Sequence, residues 1–524
     1  MNVATGATRT ARNQTNPWII AIAVMFGTFM EVLDTTVVNV SLPHIAGSLS
    51  ATVDEATWVL TSYLVANAII LPITGWLANF FGRKRLLMMS VTGFTVASFL
   101  CGFAPTLTLL IVFRVIQGAA GGALQPLSQA VLLEAFPPEM RGKAMGFWGL
   151  GIVVAPILGP VLGGWLTDSY SWRWVFYINI PVGAASILMT RLFIFDPPYV
   201  RRTSKSIDYW GIGMLAVGIG ALQVMLDKGQ QEDWFSSRLI TMLMVVSISC
   251  LVAFVAHELR TANGVVNLRV FKDRSYSTGT FLMTTVGFVL YGSLVLLPLW
   301  LQTLLGYPPV QAGIALAPRG LGSFIGMPLI GAIMPKIDPR KFLASGLLLG
   351  GLTLFQLSRL NLNAGYWDFF WPQLVQGFSL AMLFVPLTTI SMASIPKETM
   401  GNATSLFNLL RNLGGSIGIA SVTTLIARYR QIHINVLGAH VTASSPQAQS
   451  MLSAVRGMLM THSSDLAAAS QQSYAAVFGM VQRQAMILSY VDVFRLLGVV
   501  FISLTPLVLI MKKPSKSAGS VPMH

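Results

Sequence analysis

One feature recurs from residue 18 to residue 511: runs of about 20 mostly apolar residues, separated by shorter polar segments. A helix of that length crosses the hydrocarbon core of a bilayer, which is about 30 Å thick. Only 10% of the residues are charged, whereas soluble domains carry about 25%. We therefore predict an all-α membrane protein. About fourteen runs can be counted, centred near residues 29, 68, 95, 120, 156, 184, 217, 247, 290, 322, 350, 380, 414 and 500.

Basic residues are concentrated in every second connecting segment. An even number of spans places both termini on one side, and if that side is the cytoplasm, the cytoplasmic segments hold roughly 21 of the 34 Lys and Arg residues and the outer segments roughly 8. The positive-inside rule then predicts cytoplasmic termini. This topology accounts for the net charge of +15, which forms no basic stripe with exposed aromatic residues, so we predict no nucleic-acid partner.

The sequence also repeats itself. Residues 71–87 match residues 327–343 at an offset of 256, and the Gln-Gly pair at 117–118 recurs at 376–377 at an offset of 259. Two copies of equal topology are parallel repeats, related by an axis along the membrane normal. We therefore predict two six-helix bundles around a central cavity, one from each copy.

Six helices in each copy leave two over, which fall between the copies and which we predict to form an inserted hairpin at the periphery. A segment at about 427–484 is rich in Ala, Ser, Gln and Met and predicts an amphipathic helix in an outside loop, which contacts a partner or acts as a lid. The predicted division is a cytoplasmic tail (1–16), a first bundle (17–200), the inserted hairpin (201–262), a second bundle with the outside loop (263–512) and a cytoplasmic tail (513–524).

The first apolar run carries two carboxylates, Glu31 and Asp34, on one face of a helix. A charge at the centre of a membrane helix costs about 2.5 to 3.5 kcal/mol, so such residues face a cavity, pair with a cation or bind a proton. Arg114 is the central basic residue of the first copy. Two interpretations are open. In the first, one carboxylate is the fixed partner of Arg114 and never changes its protonation. In the second, which we favour, at least one carboxylate titrates, because burial favours the neutral acid whereas a nearby arginine favours the carboxylate. All three are candidates for proton coupling.

Other residues suit substrate contact, gating or packing. Gln117, Gln125 and Asn39 offer polar contacts to a substrate, although glutamine between helices also serves as packing glue. Arg319 and Arg411 of the second copy suit structural or gating roles.

Glycines mark two further segments. The loop with Gly75, Gly82 and Arg83 is either a topology signal or a latch present in both copies. The fifth run concentrates residues that allow close backbone approach or bend a helix, namely Gly151, Pro156, Gly159, Pro160, Gly163 and Gly164.

Short patterns typical of enzymes fail in this setting. Residues 414–418 match a nucleophile elbow but lie within an apolar run, not after a strand. His257-Glu258 lacks the second histidine of a zinc motif, and no Walker A loop occurs in the sequence. We predict no enzyme, no metal site and no cofactor.

With these motifs identified, the chain resembles the major facilitator superfamily, and within it the fourteen-helix drug:proton antiporter branch. The matching segments are Leu33–Pro43, Gly75–Arg85, Arg114–Gly118, Gly151–Gly164 and Trp172–Pro181. The resemblance implies a major facilitator fold and alternating access. It also implies export of amphipathic drugs or toxic compounds across a bacterial inner membrane, with the proton gradient as energy source.

The resemblance also suggests partners, namely a small-molecule substrate, membrane lipid, and the periplasmic adaptor and outer-membrane channel of a tripartite pump. In two places the chain departs from the branch: Asn79 stands where the loop motif carries an acidic residue, and Glu31 is a carboxylate additional to Asp34. Two alternatives remain, an exporter of one endogenous metabolite or lipid, and an uptake symporter, against which the antiporter-like fifth run argues. A membrane enzyme or receptor would need a catalytic cluster or a sizeable soluble domain.

Overall fold

A computed structural model describes residues 16–196, 208–261, 264–442, 444–461 and 466–511. Within these ranges the chain is helical and contains no strand, which confirms the all-α class. The predicted tails, apart from Asn16, lie outside the described residues. The long helices are α1 (Pro17–Ser48), α2 (Trp58–Phe81), α3 (Arg83–Phe103), α4 (Leu107–Ala135), α5 (Arg141–Ser169), α6 (Asn179–Phe193), α7 (Tyr209–Lys228), α8 (Arg238–Arg260), α9 (Arg274–Leu304), α10 (Ala317–Ile333), α11 (Pro339–Leu357), α12 (Tyr366–Ser391), α13 (Met400–Gly438) and α14 (Leu466–Ser503).

Helix starts and breaks follow local chemistry. Side-chain oxygens accept a backbone N–H of the first turn at Asn16, Thr106, Asp208, Asp273 and Asp338. Helix α4 is broken by a turn at residues 122–123, which separates Leu107–Gly121 from Leu124–Ala135. A Cβ atom at Gly122 would lie 2.6 Å from the Asn67 carbonyl oxygen, so glycine lets the break approach α2.

In the described part of the chain, thirteen helical segments are long and apolar enough to cross a membrane. Helix α11, at the predicted span near residue 350, is not among them; it has 19 residues and begins with Pro339, Arg340 and Lys341. It packs against α12 and α14, as α3 packs against α4 and α6. Helix α11 therefore occupies the place of the fourteenth predicted span.

The two copies form two helix bundles, α1–α6 and α9–α14, which meet along α2 with α13 and along α5 with α10. The repeat is visible in atomic contacts. Gly118 of α4 packs against the carbonyl of Tyr63, and Gly377 of α12 packs against the carbonyl of Arg319, with no room for a Cβ atom at either glycine. Tyr63 and Arg319 therefore occupy equivalent positions in the two bundles.

The inserted helices α7 and α8 pack against each other, but α7 is not peripheral as predicted. It lies against both α2 and α13, and so bridges the two bundles. Gln223 exchanges hydrogen bonds with Ser416 of α13 at 3.0 and 3.1 Å, and the buried Lys228 ammonium donates to Thr57 beside α2. These polar side chains need protein partners, which explains why α7 lies between the bundles while α8 remains largely exposed.

Helices α13 and α14 extend well beyond a membrane span. With 39 and 38 residues they are each nearly 60 Å long, about twice the thickness of the hydrocarbon core. A further helix, Pro446–Met460, packs against α14 and is called the outer helix below. The predicted outside segment is therefore mostly helical in its described residues, with turns or irregular backbone at 439–442, 444–445 and 461, and it exposes Met451, Met458, Tyr474 and Phe478.

Candidate functional site

An ion pair lies inside the first bundle. Arg114 Nη1 of α4 lies 2.5 Å from Asp34 Oδ2 of α1, and both side chains are 0% exposed. Gln117 and Asn179 each donate an amide N–H to Asp34 Oδ1, at 3.0 and 2.7 Å. The guanidinium also donates to the Val59 carbonyl at 3.0 Å. Asp34 therefore has three donors, as a buried carboxylate needs.

Aromatic rings enclose the same pair. The Arg114 guanidinium carbon lies 4.1 Å from the ring centre of Tyr63 and 5.8 Å from that of Phe176. Both distances fit cation–π contacts. Asn179 also donates to Ser98 at 3.0 Å, which fixes its amide next to Asp34. Packing and hydrogen bonds from α2, α4 and α6 thus hold this ion pair in place.

Glu31 lies one helical turn before Asp34 in a different environment. Its carboxylate is 4% exposed, and Oε1 accepts one hydrogen bond, from Asn67 at 2.9 Å. Oε2 is buried and has no hydrogen-bond partner among the described residues. The side chains of Gln125 and Arg411 lie close enough to interact with it. Glu31 is thus the less satisfied carboxylate of the two.

Arg411 connects this site to the second bundle. It belongs to α13 and donates to Gln125 of α4, next to Glu31. One turn earlier, Asn408 donates to Gln129 at 2.6 Å, and two turns earlier, Thr404 donates to the Pro126 carbonyl at 3.1 Å. The first half of the second segment of α4 is therefore hydrogen-bonded to α13, and any movement of the bundles must disturb these bonds.

Helix α5 packs closely on α1, the helix that carries both carboxylates. A Cβ atom at Gly163 would lie 2.8 Å from the Val37 carbonyl, and one at Gly159 would overlap Thr36. Gly151 faces Met25 in the same way, and Gly164 is also buried. The predicted close approach is present, with Pro156 and Pro160 inside the helix. The role of these residues in antiport stays a prediction.

Two equivalent glycine contacts join the bundles at the end where α2 ends and α3 begins, called the basic end. Gly75 of α2 packs on the backbone of Asn402 in α13, and a Cβ atom there would lie 2.6 Å from the Asn402 Cα. At the matching place Gly331 of α10 packs on α5, where a Cβ atom would lie 2.8 Å from the Gly142 carbonyl oxygen. The repeated loop motif thus makes one contact between the bundles in each copy, and its role as a latch stays a prediction.

Gly82 and Arg83 shape the same end. Gly82 has φ = 88°, a conformation that favours glycine. Two residues later, the backbone N–H of Lys84 donates to Asp196 at 2.8 Å. Arg83 is buried, forms an ion pair with Glu134 of α4, and donates to the Lys397 carbonyl of the second bundle at 3.4 Å. The basic cluster therefore makes structural contacts, including one between the bundles.

Comparison with known proteins settles the family. A family model for the Major Facilitator Superfamily matches residues 24–419, which is more than half of the chain. The chain belongs to this superfamily. It is therefore a multi-pass membrane transporter, and the resemblance inferred from the motifs is confirmed.

The superfamily relatives are similar along nearly the whole chain. The multidrug export protein EmrB of Escherichia coli K12 is 38% identical over 502 residues, covering 96% of each chain. The fatty acid resistance protein FarB of Neisseria gonorrhoeae is 39% identical over 503 residues, covering 95% of this chain and 97% of that one. The structure of the human organic anion transporter MFSD10 (TETRAN) matches with a TM-score of 0.57 at 14% identity, covering 93% and 99%, which shows the superfamily fold alone.

Within this superfamily fold, the predicted substrate contacts are separated. Gln117 is bonded to Asp34 and Arg114, and Gln125 accepts from Arg411, so both amides already have protein partners. Asn39 lies five residues after Asp34 on α1 and is exposed. Substrate contact by these three residues stays a prediction.

Several residues of the site were missed from the sequence. Asn67 donates to Glu31, and Asn179 donates to Asp34 of the ion pair. At the basic end, Asn402 accepts from the backbone N–H of Asn267. A signal existed, because an amide within an apolar membrane helix needs a partner just as a charge does. For a metal, no group of three or more His, Cys, Asp or Glu side chains comes together within the described ranges.

Proposed function

We propose that this protein is a proton-coupled antiporter that exports amphipathic drugs or toxic compounds across the bacterial inner membrane. Relatives that match nearly the whole chain bear names of multidrug export and fatty acid resistance. The observation that carries proton coupling is the pair of unlike carboxylates on α1: Asp34 is saturated by a cation and two amides, whereas Glu31 has one buried oxygen without a partner.

In this proposal Glu31 exchanges the proton and the Asp34–Arg114 pair keeps the first bundle in shape. A proton on the unpartnered Oε2 leaves the bond from Asn67 to Oε1 in place. Protonating Asp34 would instead leave the Arg114 guanidinium buried without a counter-charge, at a cost of several kcal/mol. The proton therefore exchanges at Glu31 with the smaller disturbance of the surrounding structure.

Protonation of Glu31 reaches the second bundle through charge. Arg411 lies near Glu31 and is bonded to Gln125, so a deprotonated Glu31 attracts α13 toward the first bundle. A proton removes that attraction and shifts the balance between conformations. Substrate bound between the bundles competes with the state that the proton favours. Met327 of α10, which packs against α5 glycines where the two bundles meet, is an adaptable apolar side chain at this interface.

The basic end faces the cytoplasm in this proposal, as the positive-inside rule predicts. Both termini are then cytoplasmic, and the contacts of Gly75 and Gly331 close the cytoplasmic side. The outer helix and the long ends of α13 and α14 then project into the periplasm. Their exposed methionines and aromatic rings suit contact with a periplasmic adaptor, which would connect the transporter to an outer-membrane channel.

Everted membrane vesicles test the function. With the cytoplasmic face outward, an acidic lumen should drive accumulation of ethidium and of a dansylated fatty acid, and nigericin should abolish it by collapsing the pH gradient. Vesicles without the protein are the control. Transport that runs only down the substrate gradient, whatever the pH difference, would show a facilitator and refute proton antiport.

A further inference from the structure

Arg319 is the one buried arginine of the described spans whose surroundings contain no carboxylate. It lies near the start of α10 and is 2% exposed. It donates to Ser293 Oγ of α9 at 2.9 Å and to Gln376 Oε1 of α12, and no acidic side chain forms an ion pair with it in the described residues. Its Nε and Nη1 groups are buried without a hydrogen-bond partner there.

The internal repeat relates the surroundings of Arg319 to those of Arg114 in the first bundle. In the first bundle the Arg114 guanidinium donates to Gln117, and the equivalent of Gln117 in the second bundle is Gln376. Arg319 donates to that Gln376, although it comes from the α10 position equivalent to Tyr63. In each bundle, therefore, a buried guanidinium donates to the equivalent glutamine, but the arginine belongs to α4 in the first bundle and to α10 in the second.

The two sites differ in their counter-charge. Asp34 neutralises Arg114, whereas Ser293, Gln376 and Gln373, the polar side chains next to Arg319, are all neutral. The amide oxygen of Gln373 is itself buried without a partner, so the group is incompletely satisfied as well as uncompensated. An isolated buried charge costs several kcal/mol, so a state with an anion beside Arg319 is strongly favoured.

We propose that Arg319, with Ser293 and Gln376, forms an anion-binding site in the second bundle that accepts the carboxylate of an acidic amphipathic substrate. The site rests on the proposed export function and extends it by naming a substrate class and the residue that recognises it. In this conformation the guanidinium is enclosed. An anion therefore enters when alternating access separates the helices around α9 and α10.

Charge selectivity in binding tests the site. The purified full chain in detergent would be titrated, by fluorescence, with 11-(dansylamino)undecanoic acid and with its methyl ester, which lacks the charge. We expect the wild type to bind the acid about tenfold or more tightly than the ester, as a charged hydrogen bond warrants. Arg319→Gln should remove that preference and leave ester affinity unchanged, whereas Arg319→Lys should keep part of it.

Controls separate the outcomes. Arg359→Gln, at an exposed arginine of the same bundle, should behave as wild type. Equal loss of both probes in Arg319→Gln, or no loss of either, would overturn the site. Acetate and chloride are tested in the same way, at millimolar concentration. If either displaces the acid from the wild type, and protects only proteins that contain Arg319 against thermal unfolding, then a free small anion occupies the site. In that case the substrate assignment fails.

Two further design choices keep the test decisive. Should Arg319→Gln not fold, the comparison of acid with ester in the wild type and in Arg319→Lys decides, because a lysine keeps the charge but loses the planar donor set. Equilibrium binding needs no pH gradient. A wild type that shows no gradient-driven transport would therefore refute the proposed antiport while the anion site is still measured.

Discussion

At the scale of single residues, two carboxylates three positions apart on one helix have different hydrogen-bonding environments. Asp34 accepts from Arg114, Gln117 and Asn179, whereas Glu31 accepts from Asn67 and leaves one oxygen unpartnered. Two carboxyl groups on one helix face therefore have different partners, because the neighbouring helices determine what each of them contacts.

Glu31→Gln should remove proton coupling while leaving the fold intact. The amide resembles a protonated carboxyl group in shape and keeps an oxygen to accept from Asn67. We expect accumulation driven by a pH gradient in everted vesicles to fall at least tenfold, with ethidium binding to the purified protein within about twofold of wild type. If gradient-driven accumulation persists in this variant, Glu31 does not carry the proton.

Asp34→Asn should act mainly on stability. It leaves Arg114 buried without its anion, and breaking a buried pair from one side costs about 3 to 5 kcal/mol. We expect the melting temperature in detergent to drop by several degrees, and the double variant Asp34→Asn/Arg114→Gln to recover part of the loss because no charge stays uncompensated. A single variant as stable as wild type would contradict a structural role for the pair.

The ion pair could be predicted from the sequence, but only as one of two alternatives. Glu31, Asp34 and Arg114 lie within apolar runs, so their charges must be compensated inside the protein. The sequence of a single helix, however, does not indicate which carboxylate pairs with the arginine. That choice depends on how α1 and α4 are rotated about their axes. Rotation is set by packing with α2, α5 and α6, which the sequence encodes only indirectly.

At the scale of helices, glycine positions determine how closely elements approach. Those of α5 were predictable, because six small or helix-bending residues within fourteen positions are unusual. The position of α7 was not, since its apolar composition is equally compatible with lipid on all sides. Gln223 and Lys228 were the overlooked signal, because polar groups at membrane depth require protein partners.

Gly163→Ala should weaken the contact between α5 and α1. The added methyl group would lie 2.8 Å from the Val37 carbonyl, too close for helices packed through backbone atoms. We expect a loss of about 1 to 3 kcal/mol in stability, the usual range for overpacking, together with reduced transport. Gly213→Ala in α7 is the matched control, because nothing lies within 4 Å of its Cβ position. Equal behaviour of the two variants would show that α5 tolerates separation from α1.

At the scale of the whole molecule, the internal repeat places one glycine contact at each of the two interfaces between the bundles. The match of residues 71–87 with 327–343 predicts the same loop in both copies, as either a topology signal or a latch. The surface that each loop contacts was not predictable, because Asn402, the partner of Gly75, and Gly142, the partner of Gly331, lie far away in sequence. Both contacts join one bundle to the other, so the basic end can open only if both separate.

Gly75→Ala should hold one of these contacts apart. A Cβ atom at Gly75 would lie 2.6 Å from the Asn402 Cα, so the two helix backbones cannot stay in contact once a side chain is present. We expect the basic end to close less readily, with a several-fold fall in gradient-driven transport in everted vesicles and a loss of about 1 to 3 kcal/mol in stability, the usual range for overpacking. Gly438→Ala in α13 is the control, because nothing lies within 4 Å of its Cβ position. A Gly75→Ala variant that transports as well as wild type would mean that the cycle does not need this contact, and alternating access through it would be wrong.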